Sequence, residues 1–98
     1  MIPKKFTIHS EVWVYPVRQL ADAGWHFVTL DKTLSAQIRE TYKTGFVKVE
    51  AMVGKATWNT SLFPHKQSKA YLLCIKNQIR KKEGILAGDK NIVSIKIL

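Results

Sequence analysis

A single cysteine, Cys74, stands in the 98 residues, so no internal disulfide can form, and a reducing compartment is the matching environment. Acidic residues are scarce: seven Asp and Glu face 16 Lys and Arg, a formal net charge of +9. The seven, Glu11, Asp22, Asp31, Glu40, Glu50, Glu83 and Asp89, include no close pair on a common element, which argues against general acid/base chemistry. Histidines are few and scattered. His9, His26 and His65 have no second ligand at metal spacing, so no metal is expected. Long apolar runs are also missing. Nothing approaches the roughly 20 residues of a spanning helix, and Thr7, His9, Ser10 and Glu11 interrupt the amino end before a signal peptide could form. These absences point to a cytoplasmic, non-membrane, non-catalytic protein without a cofactor.

What is present is enough apolar material for one core. A hydrophobic fraction of 46% in 98 residues predicts one domain over 1–98. Strand signals dominate. Phe6, Ile8, Ser10, Val12 and Val14 alternate with polar or larger neighbours, the period of two of a half-buried strand continuing to Tyr15. Residues 16–24 break the pattern and read as a loop, with a helical turn at 17–21, before a strand over 25–30. Over 31–43 the period changes: Leu34, Ile38 and Tyr42 recur every four residues, an amphipathic helix capped by Asp31 or Thr33 and ended by Gly45. Alternation then returns through Val47, Val49, Ala51 and Val53, turns at Gly54 and Lys55, and resumes through Ala56, Trp58, Thr60 and Leu62, which is a hairpin. Pro64 is expected to stop it. A strand over 70–75 follows, then a short helix over 77–83 with Asn77 as its cap and Gly84 as its left-handed end. Gly88 and Asp89 turn the chain into a last strand over 92–98, with Asp89 bracing that turn.

An internal echo runs through this order. Gln37-Ile38-Arg39 and Gln78-Ile79-Arg80 each follow an apolar strand, lie on a helix and precede a glycine and a β-rich run. Two copies suit a pseudo-twofold barrel whose strand-helix-strand halves share one core. The expected fold is mainly β, a small closed or split barrel of about six or seven strands with two short helices, monomeric.

The run from Trp58 to Pro64, with Tyr71-Leu72-Leu73, Lys76, Ile79-Arg80-Lys81, Gly84, Gly88-Asp89 and, upstream, Trp25 to Val28, resembles the domain-of-unknown-function family nineteen-oh-five. The resemblance covers nearly the whole chain and implies a small split β-barrel with no established activity, sometimes fused to a bacteriocin-protection type of domain. The strand-helix-Gly-Asp-strand unit is also similar to half of the swapped-hairpin barrels of the AbrB and MazE kind, which need two chains. The chain departs from the family at Asp31 and Cys74, where a proline commonly precedes the helix. Lys90-Asn91 carries one residue more than usual, which predicts a bulge.

Two binding sites suggest themselves. A charge of +9 attracts polyanions, and Lys76, Arg80, Lys81 and Lys82 gather on the second helix with Arg39 on its counterpart, a surface suited to nucleic-acid phosphates. The competing reading makes these solvated lysines, with Arg80 bridging to Asp89 or Glu83. Stacking would strengthen the nucleic-acid case if Trp13, Trp25 or Phe63 faced outward; the alternation places Trp58 inward. The other site is a cleft near Trp58, Ser61 and Pro64 for a small molecule or a protein partner. Cys74, in an apolar strand, reads as core packing. The glycines of 84–89 follow a helix and lack the Gly-Lys-Ser/Thr ending, so Gly84, Gly88 and Asp89 read as a structural turn.

Overall fold

Alternation builds most of the sheet. A computed structural model describes residues 4–15, 25–42 and 45–98; the helical turn expected at 17–21 lies outside them. The elements are β1 (Lys5–Glu11), β2 (Trp13–Tyr15), β3 (Trp25–Thr29), α1 (Lys32–Tyr42), β4 (Val47–Val53), β5 (Ala56–His65), β6 (Ala70–Cys74), α2 (Asn77–Glu83) and β7 (Lys90–Ile97). Val47, Val49, Ala51 and Val53 are buried while Lys48, Glu50 and Met52 are exposed, so β4 presents one face to the core. β5 does the same with Ala56, Trp58 and Leu62.

All seven strands join one antiparallel sheet in the order β1-β7-β4-β5-β6-β3-β2. Its two outermost strands, β1 and β2, are separated in sequence only by Val12, and this covalent link forces the sheet to curl into a half-barrel. A bond across the opening holds the curl, Ser10 Oγ on β1 donating to Thr29 O on β3 at 3.3 Å, and within the neighbouring β2-β3 pair Trp13 Nε1 donates to Thr29 Oγ1 at 2.8 Å. The strand expected over 6–15 is therefore broken at its corner. Val12 N donates to Asp89 O at 2.9 Å, and Gly88 N donates to Val12 O at 2.7 Å. Gly88 takes a φ of 93°, where glycine carries no Cβ penalty, and the Asp89 carboxylate accepts from Leu86 N at 2.9 Å.

The internal echo has a topological form. In the halves β3-α1-β4 and β6-α2-β7, each strand pairs antiparallel with its counterpart, β3 with β6 and β4 with β7. β5 then bridges β4 to β6 as the kinked β1-β2 segment bridges β7 to β3. Ile38 and Ile79, the central residues of the echoed tripeptides, both enter the core.

Three local expectations are corrected. Pro64 does not end its strand: β5 continues to His65, pairing Pro64 with Tyr71. Past Leu62, β5 has a neighbour on one side only, a position that tolerates a residue without an N–H. Asn77 is not the cap of α2; Lys76 occupies that place with extended backbone and no side-chain cap bond. Lys90 and Asn91 form no bulge, because the β1-β7 register runs unbroken from Lys5↔Lys96 to Glu11↔Lys90. Ser35, which the four-residue spacing passes over, is fully buried, and its Oγ accepts from Tyr71 N at 3.0 Å, tying α1 to β6. The cap of α1 is Asp31, whose Oδ1 accepts from Leu34 N at 2.7 Å.

Candidate functional site

A concavity of about 390 Å³ opens where β6 leaves the sheet, lined by Trp25, His26, Cys74, Ile75, Lys76, Asn77 and Arg80. Register explains its form. Phe27 pairs with Cys74, so the position opposite Trp25 would be Lys76, two residues on, but β6 ends at Cys74 and α2 begins at Asn77. The indole keeps a strand neighbour only on the Tyr15 side and is 62% exposed, beside Lys76. Ile75 N donates to His26 O at 2.9 Å and closes the bottom of the gap.

Arg80 forms part of that bottom. It is only 8% exposed. Its Nε donates to Ile75 O at 3.2 Å and its Nη1 lies 3.4 Å from His26 Nε2, which must accept because a guanidinium has only donors. The expected pairing with Asp89 or Glu83 is not made. Asp89 is occupied by Leu86 N, and the Glu83 carboxylate lies against Gly54 in the β4-β5 turn. No carboxylate of the described residues lies within ion-pair distance of Arg80, which leaves a nearly buried cation beside an open cavity without a counter-charge.

Cys74 lines the same wall. Its burial pushes the thiol above its ordinary range, and the nearby Arg80 guanidinium pulls less strongly the other way. The thiol is consequently protonated and neutral near pH 7. This cysteine is half-exposed rather than enclosed in the core, because it sits on the outer face of β6 with Leu72.

That outer face carries more aromatics than the alternation suggests. Trp13 and Phe27 stand 5.2 Å apart between ring centres, Phe27 and Phe63 stand 6.5 Å apart edge-on, and Phe63 and Phe46 stand 5.4 Å apart. Leu72, which lines a hollow with Trp13 and Phe27, is buried yet does not belong to the interior cluster. Trp25 and Phe27 lie on the same side of β3, about 6.6 Å apart along the strand. A second hollow of about 380 Å³ adjoins Trp13 and Phe27 and is rimmed by His65, Lys66, Gln67 and Leu72. The outer face of β3 is thus an aromatic strip with Lys76 near one end and Lys66 near the other.

The expected site residues divide. Lys76, Lys81 and Lys82 are exposed on or next to α2, while Arg80 is turned inward. Arg39 is exposed on α1, where its Nη2 donates to Lys69 O at 3.1 Å, and it does not line the Arg80 cavity. The two arginines of the echoed tripeptides have therefore diverged. Trp58, Ser61 and Pro64 form no common cleft: Trp58 points into the core, Ser61 lies on the opposite face of β5, and Pro64 is exposed beyond the β4 pairing. Among the described residues, no three His, Cys, Asp or Glu side chains are grouped to hold a metal ion, and no helix is long and apolar enough to cross a membrane.

Compared with models of known families, residues 9–95 match the one described as Domain of unknown function (DUF1905). No curated protein matches the chain.

Proposed function

The chain belongs to the DUF1905 family, and on the geometry of its surface we propose that it is a non-catalytic module binding single-stranded nucleic acid along the outer face of β3. The observation that carries this reading is the 62% exposed Trp25 beside Lys76, at the mouth of the cavity that contains Arg80. Single strands are held by a basic groove together with aromatic rings on which bases stack, and both parts meet here. Trp25 offers its ring to one base, and Phe27 and Trp13 continue the platform. Lys76, Lys81 and Lys82 follow the phosphates from α2, and the formal charge of +9 supplies long-range attraction.

The aromatic strip favours single strands over duplex, because stacked bases inside a duplex cannot reach a ring on a sheet. A contrast exists within the molecule. The outer face of β1, β7 and β4 also carries lysines, but Glu50 is the register partner of Lys96 there, and the hollow that holds Lys5 and Lys96 is lined by no aromatic ring among the described residues.

Fluorescence anisotropy with labelled single-stranded DNA and RNA of mixed sequence, and with the matching duplex, tests the proposal. Single strands bind at low salt and weaken as salt rises, duplex binds less well, and Trp25→Ala costs roughly 1 to 3 kcal/mol of affinity. No binding at low salt, or equal binding by Trp25→Ala, sinks the reading.

A further inference from the structure

We infer that the Arg80 cavity receives a nucleoside phosphomonoester, with the terminal phosphate on the Arg80 guanidinium and the base against Trp25. This rests on the single-strand reading above and goes further by assigning the cavity to a chain end or a free mononucleotide rather than to the middle of a strand.

Three observations carry it. The first is the uncompensated cation. Arg80 uses two of the five guanidinium N–H donors on Ile75 O and His26 Nε2, lines the cavity and has no carboxylate within ion-pair distance among the described residues. A buried positive charge without a partner is costly, and an anion that fits beside it recovers that cost. Arginine pairs with phosphate through two parallel N–H bonds, a geometry lysine lacks.

The second is access. At 8% exposure Arg80 is nearly enclosed, and among the described residues the cavity it lines opens beside the exposed Trp25 and Lys76. A continuous strand has to loop into that mouth and out again to bring a phosphodiester to the bottom, whereas a terminal phosphate enters alone. A phosphomonoester also brings about 1.5 to 2 negative charges and three acceptor oxygens to the donors. The exposed Lys76 ammonium on the rim adds a second cation on the path.

The third is size and lining. About 390 Å³ falls within the roughly 300 to 1,000 Å³ typical of small-molecule sites. One wall is an indole able to stack on a base, Asn77 adds an amide at the rim, and the neutral Cys74 thiol places no negative charge against the phosphate.

The test compares one short single-stranded oligonucleotide carrying a phosphate at its 5′ end, at its 3′ end or at neither, together with adenosine monophosphate, adenosine and inorganic phosphate. Binding is read by anisotropy for the strands, and by protection of Cys74, the only thiol in the chain, from iodoacetamide for the small probes. One phosphorylated end is expected to bind roughly tenfold or more tightly than the hydroxyl form, the lower bound for charge-assisted hydrogen bonds. Adenosine monophosphate protects Cys74 at concentrations where adenosine does not. Arg80→Met abolishes the preference for the phosphorylated end, and Arg80→Lys keeps only part of it, with the melting curve of each variant showing that it is folded. Protection by adenosine monophosphate without any preference among strand ends assigns the cavity to free mononucleotides and supports the inference. Equal binding of all three strands with no protection of Cys74 overturns the inference while leaving single-strand binding in place. Failure of every strand to bind removes the single-strand reading itself. A phosphate preference retained in Arg80→Met overturns the inference whatever the affinity.

Discussion

Replacing Arg80 by methionine separates a residue that serves a ligand from one that holds the fold. Methionine keeps an unbranched stem of similar reach and removes the charge. Two contributions are lost, the bonds to Ile75 O and to His26 Nε2. Hydrogen bonds involving a charged group contribute about 1.5 to 3 kcal/mol each, so their removal costs about 3 to 6 kcal/mol. Against this, the substitution abolishes the desolvation of a guanidinium that is 8% exposed and has no carboxylate partner among the described residues, a penalty of several kcal/mol. The two nearly cancel. Arg80→Met is therefore expected to unfold within about 1 kcal/mol of the parent, a change in Tm within about 4 to 8 °C for a chain of this size. Paired urea and thermal melts, followed by circular dichroism without ligand, measure it. A loss above about 3 kcal/mol refutes the reasoning, because that is the signature of a strut whose removal breaks a compensated network. Repeating the melts with adenosine monophosphate adds a second criterion: the ligand raises the Tm of the parent by mass action and leaves the variant unmoved.

Ser35→Ala withdraws the acceptor of the Tyr71 N–H inside the α1-β6 contact and is expected to cost about 1 to 3 kcal/mol, seen as a lower urea midpoint with unchanged slope. Gly54→Ala is expected to cost about 1 kcal/mol or more in a thermal melt, because Gly54 holds a φ of 59° and an added Cβ would collide with the Glu83 carboxylate. Gly45→Ala, with open space around it, serves as the neutral control. Cys74 makes stability depend on alkaline pH. Burial raises its folded pKa, so below the ordinary thiol range both states hold the proton, and above it the unfolded chain ionises first and unfolding is favoured. Melts at rising pH should show the parent losing stability relative to Cys74→Ala from about pH 8.5 upward, and parallel curves would contradict the assignment.

Local pattern made some of this architecture readable in advance. The β4-β5 hairpin follows from a strict two-residue period across a tight turn, and α1 from the spacing of Leu34, Ile38 and Tyr42. Both signals arise within a few residues. The corner at Val12 does not: Val12 still points inward, so the alternation passes through it unchanged, and the break exists only because the distant Gly88-Asp89 turn takes its backbone bonds. The same limit explains the candidate site. Arg80 and Arg39 stand in identical tripeptides, yet one is buried and the other is exposed, which depends on the end of β6 and on the position of His26. Trp25 alternates like any strand residue, and its exposure comes from the neighbouring strand stopping at Cys74. Trp58, Ser61 and Pro64 are close in sequence, but in a strand odd and even positions face opposite ways, which turns Ser61 from Trp58, and Pro64 lies past the end of the β4 pairing.

The central claim is a location as much as an affinity: a single strand lies on the outer face of β3, between Trp25 and α2. Backbone amide chemical-shift mapping on the full chain, titrated with a short single-stranded oligonucleotide at low salt, tests it most directly. The largest changes are expected on Trp25, Phe27, Cys74, Lys76 and Asn77, while Lys5, Lys48 and Lys96, on the outer side of the distant strands β1, β4 and β7, stay near their free positions. Changes centred on those distant strands, or none anywhere, would contradict it.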